Sequence, residues 1–140
     1  MICYLWAKKN NLDVDIPTKE DRIYPLLMVI PSYFLGLILL YSLKAPDIIT
    51  VLMACYFSIT IIVLLISIYW KISLHSMGIA GPAVFMIYIF GVPGLIFSLI
   101  ILPSVMWSRL YLKRHTVSQV IMGALFGLFL TYIEIYFLLM

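Results

Sequence analysis

The chain has 140 residues, 65% hydrophobic and 11% charged, with a mean hydropathy of +1.15. A soluble domain carries about 45–50% apolar and about 25% charged residues, so this composition excludes a water-soluble enzyme and indicates an integral membrane protein. The net charge of +3 leaves no basic face once the spans are drawn, and nucleic acid is not an expected partner.

Residues 1–23 read as an N-terminal interfacial segment and 24–140 as the membrane domain. Met1–Ala7 is apolar but too short for a cleaved leader. A charged run follows, with Lys8, Lys9, Asp13, Asp15, Lys19, Glu20, Asp21 and Arg22. Tyr24–Leu43 is long enough to cross a hydrocarbon core of roughly 30 Å, and Pro31 predicts a kink in it. Lys44–Asp47 predicts a turn with Asp47 as the next helix's N-cap. Ile48–Trp70 is a second span.

Lys71, Ser73, His75 and Ser76 then form a polar island. Met77–Phe90 and Leu95–Trp107 follow, divided by the turn signal Gly91-Val92-Pro93-Gly94. Both runs are short, so they are either full spans or a re-entrant hairpin covered by protein. A second island, Ser108–Gln119, leads into the last span, Val117–Leu139. The expected fold is an all-α polytopic membrane helical bundle of about five transmembrane or re-entrant helices. Cys3 and Cys55 show no ligand or disulfide spacing, and no metal or other cofactor is expected.

Counting crossings brings Lys19 and Arg22, the Lys71–His75 island and the Arg109–Gln119 island to one membrane face. Of nine Lys and Arg residues, all but Lys44 fall there, with both histidines. Such a face has the parts of a phosphate site. Arg109 offers a planar, permanently charged fork. Histidine works as nucleophile or acid near neutral pH. His115 and Gln119 lie one helical turn apart, with the amide placed to accept from the imidazole.

Ser108-Arg109-x5-His115 resembles the third signature of the type 2 phosphatidic acid phosphatase superfamily, which includes vanadium haloperoxidases. Ser73-Leu74-His75 at a helix start resembles its second signature, Pro-Ser-Gly-His. The likeness covers about Lys71 to Leu139. It implies a hydrolase of lipid metabolism in which His115 attacks phosphorus to form a phosphohistidine. His75 would then protonate the leaving oxygen, Arg109 and Ser73 would hold phosphate oxygens, and no metal would take part.

The chain departs from the family pattern at several points. Gln119 stands where the family has Asp, Ile72 and Leu74 replace the Pro and Gly of the second signature, and five spans replace about six. The first signature, Lys-x6-Arg-Pro, is missing from its usual place. Lys19 and Arg22 are taken as its replacement, with Lys71 as a rival.

The resemblance therefore implies a membrane-integral phosphatase acting on a lipid phosphate monoester or diphosphate, phosphatidate-like or isoprenoid. The alternatives are a weak homologue that binds lipid phosphates or partner proteins, and a small transporter or assembly subunit built on Glu134 and the Gly123/Gly127 face. Gly123-x3-Gly127 permits close helix packing and offers a face to a second copy. Ser73 also suits a helix cap, Lys71 a snorkelling anchor, and Gln119 a helix–helix contact. Glu134 is expected near the far interface, about 22 Å along the helix from Gln119. The protein is expected in the cell membrane. Positive-charge counting puts the motif face in the cytoplasm, whereas the resemblance implies the outer or lumenal side.

Overall fold

The computed structural model describes residues 23–139, so Lys19 and Arg22 lie outside the described residues. Five helices occupy this range: α1 (Ile23–Ser42), α2 (Asp47–Tyr69), α3 (Leu74–Phe90), α4 (Val92–Tyr111) and α5 (Val117–Leu139). Among the described residues there is no strand, and the fold is an all-α membrane bundle. Four helices are long and apolar enough to cross a bilayer; α3, with 17 residues, is the short one.

Large apolar side chains face outward as well as into the core, unlike those of a soluble protein. Leu27, Leu35 and Leu39 of α1 and Ile96, Leu99 and Ile100 of α4 are exposed, while Thr60, Ser67, Ser73, Ser76, Ser98 and Thr131 are buried. Water does not tolerate an apolar surface of this extent, but lipid does. The small and polar residues inside let helices approach one another where hydrophobicity gives no driving force.

The helix ends follow from local chemistry. Both α1 and α4 close with a Schellman turn. Lys44 (φ 52°) and Lys113 (φ 53°) take the left-handed position, and the bonds Ala45 N–H to Leu40 and Arg114 N–H to Arg109 satisfy the last carbonyls. A lysine at each of these ends also meets the negative pole of the helix. Asp47, expected as the cap of α2, instead lies in its first turn, and Pro46 is the N-cap without any side-chain bond. Its charge still suits a helix start. α1 runs on through Pro31.

Gly91, at φ 61°, is all that separates α3 from α4. The predicted turn is thus tighter than its four-residue signal, because Val92 and Pro93 already belong to α4, where an early proline loses no helical bond. Gly94 lets the two helices touch: a β-carbon there would stand 1.9 Å from the Met86 carbonyl oxygen.

α3 is the central element, packed along α4 and α5, while α1 leans on α2. Tyr33 stacks on Tyr56 and Phe34 packs against Phe57, joining α1 to α2. The parallel seam between α3 and α5 is also close. A β-carbon at Gly123 would lie 2.7 Å from the Ser73 carbonyl, and one at Gly127 would lie 2.6 Å from the Met77 carbonyl. The face that the sequence offered to a second copy is thus covered by α3 of the same chain.

Candidate functional site

The antiparallel succession of helices brings the start of α3, the end of α4 and the start of α5 to one face. Ser73, Arg109, His115 and Gln119 therefore meet at a common level. The contact that ties the start of α3 to the start of α5 is the Ser73 N–H donating to the Gln119 carbonyl at 3.2 Å.

Ser73 is fully buried and is the N-cap of α3, its hydroxyl accepting from the Ser76 N–H at 3.3 Å and pairing with the Ser76 hydroxyl at 2.9 Å. The hydroxyl is thus turned into the α3–α5 seam, and the geometry shows a capping side chain. Phosphate contact from Ser73, expected from the sequence, has no exposed atom to make it.

Gln119 carries two jobs. Its Oε1 accepts from the Thr116 backbone N–H at 3.1 Å, while Thr116 Oγ1 accepts from the Gln119 N–H at 3.4 Å. This reciprocal pair is a capping box. Its signal, Thr-x-x-Gln directly before an apolar run, stood in the sequence and went unread beside the motif. The same Oε1 faces His115 Nδ1 at 3.2 Å.

The two contacts together fix the histidine's tautomer. A backbone N–H only donates, so the amide must present its oxygen to Thr116, and that oxygen only accepts. The imidazole nitrogen facing it therefore carries hydrogen, and the lone pair of the neutral ring sits on Nε2.

Arg109 lies in the last turn of α4, not in a loop, because the helix continues to Tyr111. It is half-buried, and its guanidinium reaches the Ser108 hydroxyl at 3.5 Å. The bond from Arg114 N–H to the Arg109 carbonyl folds the chain back, so only a tight turn separates Arg109 from His115. Lys113 is exposed and Arg114 half-buried in that turn.

His75 stands exposed in the first turn of α3. Its neighbour Ser76 faces α5, but His75 lies on the stripe shared with Ile79, Pro82 and Met86, which faces α4. Three contacts set the α3–α4 register: Gly94 at Met86, the Ser98 hydroxyl on the Ala83 carbonyl, and a common cleft of Ile79 and Pro82 with Ile101 and Leu102. Continued by one turn of about 5 Å, this register carries the His75 stripe toward the end of α4 that bears Arg109. Lys71, half-buried, precedes Ser73 in the extended link after α2.

Glu134 is inside the bundle and not at the far interface: the Ser58 hydroxyl of α2 donates to its Oε1. No sequence periodicity marked Ser58 as its partner. No cluster of potential metal-ligating side chains occurs among the described residues. The chain matches no protein-family model, no curated protein and no solved structure.

Proposed function

We propose that this protein is a membrane-integral lipid phosphate phosphatase that works through a phosphohistidine. The observation that carries the reading is the Thr116–Gln119–His115 arrangement, which holds one imidazole with its lone pair on Nε2 beside the Arg109 turn. A nucleophile of this kind needs a partner on the other ring nitrogen and a nearby cation for the oxygens it attacks.

In the proposed course His115 Nε2 bonds to phosphorus as the bond to the lipid oxygen breaks. His75, in the imidazolium form, gives that oxygen its proton. Water, losing a proton to His75, then attacks phosphorus and releases phosphate from His115. Arg109 balances charge on the non-bridging oxygens, with Lys71 as a further cation of this face. A site at headgroup level suits a phosphate monoester or diphosphate whose hydrocarbon chain stays in the bilayer.

A second reading has its own support. Gln119 stabilises an imidazolium without the charge of a carboxylate, and Ser73 is sealed into the seam. A protein so equipped binds a lipid phosphate and turns it over slowly or not at all.

One experiment separates the two: phosphate release from phosphatidate and from an isoprenoid diphosphate by purified protein, with and without chelator. Release that survives chelator and is lost in His115→Ala supports the phosphatase. Absence of release, with saturable lipid-phosphate binding lost in Arg109→Ala, supports the binder. If neither release nor binding depends on these residues, both readings fail.

A further inference from the structure

A second polar layer lies deep in the bundle, away from the phosphate face. It joins Cys55, Ser58 and Ile59 of α2, Gly81 of α3, and Thr131 and Glu134 of α5. Glu134 is 17 residues past the start of α5, about 25 Å along the helix and about 8 Å short of its end.

Two oxygens in this layer stand out. Glu134 Oε2 and Thr131 Oγ1 are buried and make no hydrogen bond. A helical hydroxyl ordinarily donates to the carbonyl four residues back, as those of Ser42, Thr60, Ser98 and Ser104 do here. The Thr131 hydroxyl, fully buried, makes no such bond; it is held in the space that Gly81 leaves, 3.1 Å from where a β-carbon would be. On α2, the Ser58 oxygen has the Ala54 carbonyl at 2.9 Å, the Cys55 carbonyl at 3.1 Å and Glu134 Oε1 around it. One hydroxyl hydrogen serves three acceptors. The layer is rich in lone pairs and poor in positive charge, since the described basic residues, Lys44, Lys71, Arg109, Lys113 and Arg114, all sit at helix ends.

A carboxyl in such a place needs a counter-charge. We propose that Glu134, Thr131 and Ser58 form a membrane-interior site for a single monovalent cation, a proton or Na+, separate from the phosphate face. One carboxyl calls for one positive charge, and the hydroxyl oxygens complete a hard, oxygen-only donor set. Among the described residues, the Cys55 thiol of α2 is the titratable group that faces Glu134, with a side-chain hydrogen bond between the two. α3 presents Gly81 here, α4 has no titratable side chain between Val92 and Ser108, and Tyr88, Tyr132 and Tyr136 line a separate groove.

The test uses the full chain in nanodiscs and a hydrophobic carbodiimide. A protonated carboxyl adds across the reagent's C=N bond and rearranges to an N-acylurea; no group leaves, so the mass rises by one reagent molecule. Labelling is expected at Glu134, absent in Glu134→Gln and retained in Cys55→Ala. Protection by Na+ but not choline at fixed pH assigns Na+ as the competing cation. Labelling that follows pH alone assigns the proton. Melting temperature gives a second readout: the occupied site stabilises the fold, and the response to that cation should vanish in Glu134→Gln and weaken in Thr131→Val and Gly81→Ala. Failure to label Glu134 at any tolerated pH, with identical cation and pH responses in wild type and Thr131→Val, overturns the proposal. That outcome reduces the layer to an internal hydrogen-bonded contact.

Discussion

Gly123→Ala tests whether the α3–α5 seam sets the phosphate face. The new β-carbon would stand 2.7 Å from the Ser73 carbonyl oxygen, against 3.4 Å for ordinary contact. The obstacle is backbone, so the helices themselves must part by about 0.7 Å at this level. Overpacking costs ~1–3 kcal/mol, and alanine recovers ~1 kcal/mol of helix propensity, so the net loss is about 0–2 kcal/mol. The geometry is less forgiving. The Ser73 N–H to Gln119 carbonyl bond is already 3.2 Å and does not survive that stretch. His75 then moves against His115 by a comparable distance, and a misplacement of ~1 Å can cost about 100-fold in rate. Thermal unfolding in detergent paired with phosphate release reads both effects. Gly78→Ala is the control, on the facing helix α3, because nothing lies within 4 Å of its added methyl. If Gly123→Ala matches Gly78→Ala in both stability and turnover, the seam does not position the site and the argument fails.

Gln119→Glu keeps the capping box, since glutamate fills the same position, and sets a carboxylate at His115 Nδ1. Phosphate release should rise at least ~10-fold, given how strongly a triad histidine depends on its carboxylate; an unchanged rate measured by initial turnover refutes the orienting role. Lys113→Gly relieves a left-handed backbone that costs ~1 kcal/mol in a residue with a β-carbon. Melting temperature should rise with turnover unaltered, and a fall in turnover would place the Lys113 charge in the site. Gly94→Ala sets a methyl 1.9 Å from the Met86 carbonyl, which no rotamer change relieves. The α3–α4 hairpin should fail to close, with a loss beyond the ~1–3 kcal/mol of ordinary overpacking, read as loss of a monodisperse protein in size-exclusion chromatography.

The helices were legible because lipid and backbone impose the same demand over long stretches: Val117–Leu139 matches its expected span, and α1 and α2 each shift by one residue. α3 and α4 start three residues earlier than expected, because Ser73 caps α3 and proline is welcome in the first turn of α4. Apolar periodicity carries no record of either effect. At the site, His115 and Gln119 were readable as a pair from their spacing. The burial of Ser73 was not, because it depends on Gly123 lying 50 residues away. Glu134 was visible as an intramembrane acid, yet its partner Ser58 lies 76 residues away and gave no local sign.

One feature of the architecture links sequence to chemistry at this face. Under the proposed function, capping and catalysis would draw on the same atoms: Gln119 Oε1 caps the start of α5 and faces the His115 ring, and the Schellman turn that ends α4 fixes where Arg109 stands in the chain before it. Helix ends leave unsatisfied donors and acceptors, and in a bilayer those ends are where polar side chains are tolerated. A phosphate site at the headgroup level therefore needs no dedicated loop. In the proposed reading it would use the caps that the helices require in any case, held in register by the glycines of the α3–α5 seam. This also explains why the bland and the catalytic readings of Gln119 and Ser73 could not be separated by spacing alone: a cap and an orienting residue ask for the same side chain at the same position, and only its second contact tells them apart.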